Sequence, residues 1–305
     1  MMKKLFCLLL TLCTLFCFSA CQKEEDPQNT EIPYKGDLGT YIIGTSNGVS
    51  GLTENYEYPW SGGTFQNENA LPTMTVTILG VTYTGTYSHS LIVKLNSYIT
   101  DYYDCTDGTR FGVKSGTNTP VNLNLMTTEY FDTVPFLEDV QNPEDHAVAY
   151  AKDIAEQYVD IAAYTLIPID SSLYECEKNG VTYDMTFYYV TYARIVNGIE
   201  TSDYVAMKID STGHLAAWNL GDLGAFEGYD PATLSIEETN ASISSALGQV
   251  ARSGSNSYES HEVSNQKLTK LPSGEIVVYS TITVTCRDVE NEQFKQGVAI
   301  ITKHE

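Results

Sequence analysis

The chain has 305 residues, with 17 lysines and arginines against 39 aspartates and glutamates, for a formal charge of −22. A surface this acidic repels nucleic-acid phosphate and anionic lipid headgroups, so both are poor partners. The 22 tyrosines point instead to sheet, where aromatic residues pack well on a pleated surface.

The chain opens Met1-Met2-Lys3-Lys4, runs apolar over residues 5–18 and ends that run with Phe18-Ser19-Ala20-Cys21. A basic start, a short apolar core and small residues at the cut describe a secretory leader. A membrane-spanning helix needs about 20 apolar residues, and this run is shorter. Removing residues 1–20 takes away Lys3 and Lys4 and no acid, so the charge moves from −22 to −24. Cys7, Cys13 and Cys17 leave as well, and beyond Cys21 only Cys105, Cys176 and Cys286 remain. They allow one disulfide but no disulfide framework, and buried apolar thiols are the simpler reading. Residues 21–35 are polar and lack apolar periodicity, so they read as a flexible tether.

Residues 36–140 read as β structure. Apolar and polar residues alternate over 73–79 and 91–95, and Ser46-Asn47-Gly48, Asp107-Gly108 and Ser115-Gly116 are turn signals. At Asn142-Pro143-Glu144-Asp145 a helix starts: a capping residue, proline in the first turn, then acids at the positive end of the dipole. Val148, Ala151, Ile154, Ala155, Tyr158 and Ile161 follow at helical spacing. Strands are expected over 181–196, 204–209 and 214–218, with Asn179-Gly180 and Asn197-Gly198 as tight turns. Ser235-Ile236-Glu237-Glu238 is a capping box, opening a helix with Ile236, Ile243, Leu247 and Val250 on one face. Strands then follow over 258–271, 275–286 and 296–302. The expected fold class is α+β. A β-rich region (36–140) precedes two helix-plus-antiparallel-sheet units (141–232 and 233–305), an order that suggests an internal duplication.

Catalytic signatures are sparse. There is no His-Glu-x-x-His and no phosphate-binding glycine motif. Gly44-Thr45-Ser46-Asn47-Gly48 has the Gly-x-Ser-x-Gly spacing, but it lies in the β-rich region, where Ser46-Asn47-Gly48 reads as a turn. His89, His146, His214, His261 and His304 are scattered, so neither a metal nor another cofactor is implied. Ser88 and His89 are strand neighbours and are expected on opposite faces, unable to pair as nucleophile and base. Asp101, Asp104 and Asp107 fall every third residue before Gly108. That spacing differs from a calcium loop, so a solvated hairpin loop is expected.

Phe18-Ser19-Ala20-Cys21 resembles the lipobox of bacterial lipoproteins, which implies that Cys21 is acylated and becomes the new N-terminus. Lys23-Glu24-Glu25-Asp26 resembles the acidic surface-export signal of Bacteroidetes lipoproteins. The stretch 191–199, then 203–210, then Gly213 resembles the Arg-x-x-Asn-Gly-Ile hairpin of PepSY-like and thermolysin-propeptide-like domains, and Leu234-Ser235-Ile236-Glu237-Glu238 resembles their helix opening. Thr239 stands where that group usually has alanine. The resemblance implies a binding or regulatory module, sometimes directed at peptidases, and not an enzyme.

These readings converge on an envelope lipoprotein, anchored to the membrane by lipid at Cys21, that binds without catalysis. A peptide, a peptidase and a glycan remain open as partners. Arg194, Tyr192, Asn197 and Trp218 are the expected binding face. A glycan hydrolase using a carboxylate pair, or a purely structural surface protein, are the alternatives.

Overall fold

The computed structural model describes residues 40–45, 63–92, 96–250, 257–271, 273–288 and 290–304. The first strands are β1 (Thr40–Thr45), β2 (Thr64–Phe65), β3 (Thr73–Ile78), β4 (Val81–Ile92), β5 (Ile99–Cys105), β6 (Arg110–Lys114) and β7 (Pro120–Asn124). Two helices follow, α1 (Thr128–Thr133) and α2 (Pro143–Ala155). Next come β8 (Thr165–Leu166), β9 (Asp170–Lys178), β10 (Val181–Val196), β11 (Ile199–Asp210) and β12 (Leu215–Leu220). The last elements are α3 (Ile236–Val250), β13 (Ser257–Lys270), β14 (Ile276–Arg287) and β15 (Gln293–His304).

The expected α+β organisation is overturned. Of the described residues, 53% lie in strands and 18% in helical segments, and 15 strands join one mixed sheet. Its path runs β1-β15-β14-β13-β11-β12-β7-β6-β5-β4-β2, with β10 on β11, β8 and β9 on β10, and β3 on β4. There are therefore no separate helix-plus-sheet units. β7 pairs with β12 through Asn124–Ala217, Leu123–Trp218 and Asn122–Asn219. β1 pairs with β15 at the far end. A two-residue parallel contact, Glu200–Lys267 and Thr201–Leu268, joins β11 to β13. The physical reason is that side-chain alternation states which face a strand buries but not which edge it shares. Open edges of neighbouring segments then satisfy one another.

Local signals act as expected where they are short-range. Between β10 and β11, Asn197 has φ 49° and Gly198 φ 79°, the backbone of a primed hairpin turn that matches strand twist. Ser235 Oγ accepts from Glu238 N at 3.2 Å and starts α3. Asn142 differs. Its φ is 51° and its side chain caps nothing, so Pro143, Glu144 and Asp145 set the start of α2 instead.

Helix α2 lays Ala147, Ala151, Ile154 and Ala155 against Val190, Tyr192, Val205, Met207 and Ile209 of β10 and β11. The alanines allow close approach, and burying Ile154 contributes roughly 2 kcal/mol. On the opposite face, Tyr130 and Phe131 of α1, with Val134, cover Met185 and Phe187. The β10–β11 hairpin is thus covered on both sides, while β9 extends beyond it. Helix α3 buries Ile243 and Leu247 against Ile282, Val284, Val298 and Ile300.

Candidate functional site

Strands β8 and β9 lie along the same side of β10. Thr165 and Leu166 pair with Ala193 and Tyr192, and residues 170–178 pair with 189–181. Among the described residues no strand pairs with the other side of β9. Nine residues at ~3.4 Å each leave about 30 Å of backbone donors and acceptors open to an added strand.

The two faces of β9 differ. Ser172, Tyr174, Cys176 and Lys178 are half-buried, on the side of α1. Ser171, Leu173, Glu175 and Glu177 are exposed, with Leu173 at 66%. Register puts Glu175 opposite Asp184, which is also exposed. Among the described residues neither carboxylate takes part in an ion pair. Like charges facing each other across a ladder cost a few tenths of a kcal/mol to ~1 kcal/mol. The fold retains that cost at its open edge.

Behind the half-buried face sits Lys208, only 3% exposed. Its Nζ lies 4.1 Å from the Phe187 ring centroid, 4.4 Å from that of Tyr174 and 5.4 Å from that of Tyr189. It donates to Tyr174 Oη at 3.4 Å. Burial pushes the amine down to about 8, because desolvation disfavours its charged form. Nearby, Tyr130 donates to Asp210, whose Oδ1 also accepts from Thr212 N at 2.9 Å, Thr212 Oγ1 at 2.7 Å and His214 N at 3.0 Å. These rings and bonds stiffen the support under β9.

No family model, curated protein or solved structure matches this chain.

The four residues expected to form a binding face are not brought together as one. Tyr192 and Trp218 are 6% and 1% exposed, within the core under α2. Tyr158 packs on Trp218 at 5.0 Å between centroids, and the indole N–H has no hydrogen-bond partner among the described residues. Asn197 uses its amide to hold Pro231 O at 2.6 Å and Leu234 O at 2.9 Å. Arg194 sits where the β10–β11 register shifts and donates to buried Asp203 at 3.2 Å. Tyr164 donates to the other oxygen of Asp203 at 2.5 Å, and its ring lies 5.2 Å from the guanidinium. Cys21 lies outside the described residues.

Ser88 and His89 depart from the strand expectation. A bulge between Tyr87 and His89 breaks the alternation, and His89 Nδ1 stands 3.2 Å from Ser88 Oγ. Burial, then Arg110, holds the imidazole below its usual range. Among the described residues nothing hydrogen-bonds the other ring nitrogen, so the ring lacks the third group that orients a catalytic base. Sequence neighbours reveal such contacts only when the bulge is visible.

The acids Asp101, Asp104 and Asp107 do not converge. Asp101 is 2% exposed and accepts from Ser90 Oγ at 2.5 Å. Asp104 takes Arg110 Nε at 2.5 Å, and Asp107 accepts from Thr109 N at 2.8 Å. No group of three metal-ligating side chains occurs among the described residues. The buried carboxylates Asp101, Asp203, Asp210 and Asp222 each have their own donors. Asp222, for instance, accepts from Ser97 N, Ser97 Oγ and Ser202 Oγ at 2.9, 2.6 and 3.1 Å. The three cysteines Cys105, Cys176 and Cys286 are free.

Proposed function

We propose that this is a lipid-anchored envelope protein that binds extended peptide segments along β9 and does not turn them over. The observation that carries the reading is the nine-residue edge of β9, open on one side among the described residues. Such an edge supplies main-chain hydrogen bonds for strand addition, a general mode of peptide recognition. The leader that precedes Cys21 supports secretion and lipid anchoring. Noncatalytic action is supported by the buried carboxylates, each bound by its own donors. A glycan hydrolase needs two that face a common substrate.

Hydrogen exchange tests this directly. Amides of residues 170–178 should slow when extended peptides are added, while amides of central strands such as β14 stay unchanged. Unchanged exchange across 170–178 with every peptide, or cleavage of the peptides, would refute it.

A further inference from the structure

We infer that the strand added to β9 is cationic, with lysine or arginine at every second position and apolar residues between. This rests on the strand-addition reading above. A strand paired along β9 alternates its side chains in step with those of β9. One set lies over the face of Ser171, Leu173, Glu175 and Glu177. On that face Asp184 stands opposite Glu175 and Thr182 opposite Glu177. Further in, Tyr188 stands opposite Ser171, and burial with the fields of Glu144 and Asp139 raises its phenol. Glu144 and Asp139 thus add acid near the inner end of this face, toward the start of α2.

No basic side chain neutralises this face among the described residues. Glu175, Glu177 and Asp184 form no ion pair there. The only cation of β9, Lys178, belongs to the other face. Its Nζ is bound by Asp132 O and lies 4.5 Å from the Phe136 ring centroid. Cations placed over Glu175 and Glu177 would relieve the like-charge contact with Asp184, so binding and the fold's own electrostatics pull the same way. A second copy of the chain is a poor occupant, because without residues 1–20 each carries −24 and the same acidic edge. The alternate set of partner side chains lies over Tyr174 and Cys176. Val181 at 51% and Phe136 at 36% exposure flank that row at the hairpin tip. Small β-branched residues suit it.

Three nine-residue peptides test the inference on the secreted chain without its leader, by fluorescence anisotropy at low and high salt. One alternates lysine with valine, one alternates glutamate with valine, and one repeats the first with every backbone amide N-methylated. The lysine peptide should bind about tenfold or more tightly than the glutamate peptide, and salt should weaken it. N-methylation should abolish binding. The double variant Glu175→Lys, Glu177→Lys should erase the preference while circular dichroism stays unchanged. Equal affinity for the lysine and glutamate peptides would overturn the charge inference and leave strand addition standing. Undiminished binding of the N-methylated peptide, or binding of none of the three, would overturn the edge reading itself.

Discussion

Glu175 and Asp184 face each other across the β9–β10 ladder, both exposed. Two like charges in that relation cost up to ~1 kcal/mol. Asp184→Asn should therefore raise stability by a few tenths of a kcal/mol to ~1 kcal/mol at low ionic strength. The gain should shrink in 1 M salt, where exposed charges are screened within about 3 Å. Thermal melts at two salt concentrations read this directly. The same substitution should weaken a cationic peptide, which links the instability to the binding surface.

Lys208 predicts how stability varies with pH. Its folded pKa is lowered to about 8, from the ordinary 10.5. Between these values the unfolded chain holds more protons, so stability rises with pH through the window. A shift of one unit corresponds to ~1.36 kcal/mol, so the rise between pH 7.5 and 9.5 should be about 2 kcal/mol. Lys208→Met lacks the titrating group and should lose that increment. Urea titrations of both proteins at the two pH values give the difference. An identical pH slope in the variant would mean that Lys208 titrates normally.

Gly198 isolates a backbone effect. Its φ is 79°, and a side chain there would meet open space. Gly198→Val should destabilise the fold by roughly 1–2 kcal/mol, from the left-handed backbone alone. A melting temperature matching the wild type would show that the turn relaxes to another type.

The residues that revealed themselves in sequence are those with local causes. Asn197-Gly198 makes its turn from its own torsions, and Val181–Val196 forms the single strand β10. The helix starts near Pro143 and Ser235 likewise need only neighbouring residues. Pairings such as Asn124 with Ala217 bring together residues far apart in the chain, and nothing in either strand names its partner. That is why two expected units became one sheet. The bulge at Ser88 was hidden for the same reason, since it exists only relative to β5. Arg194 and Trp218 stood out as unusual residues in strands. Their roles depended on Asp203 and Tyr158, which their own strand does not contain. The edge of β9 that no described strand pairs was equally invisible, because an edge is defined by which strands are not beside it.

The proposed lipid attachment at Cys21 makes a separate prediction. Two or three acyl chains hold far more firmly than one, since each buried methylene adds about 0.8 kcal/mol. No helix among the described residues is long and apolar enough to cross a membrane. If lipid at Cys21 is the anchor, Cys21→Ser should move the protein from the membrane fraction to the released or unprocessed form. Full retention of that variant in membranes would sink the lipid anchor.

Arg194 decides between a binding role and a structural one. Its side chain is 24% exposed while that of Asp203 is fully buried. The guanidinium and the Tyr164 hydroxyl together satisfy that carboxylate. Removing a charged partner leaves a buried acceptor short of a donor, at a cost of about 1.5–3 kcal/mol. Arg194→Ala should lower the melting temperature clearly. Arg194→Lys should recover only part of the loss, since an ammonium cannot stack flat on the Tyr164 ring as a guanidinium does. Neither variant should alter the affinity of a cationic peptide for β9 at temperatures where both stay folded. If Arg194→Ala keeps its stability and loses peptide binding, the recognition surface lies at Arg194 and not along β9.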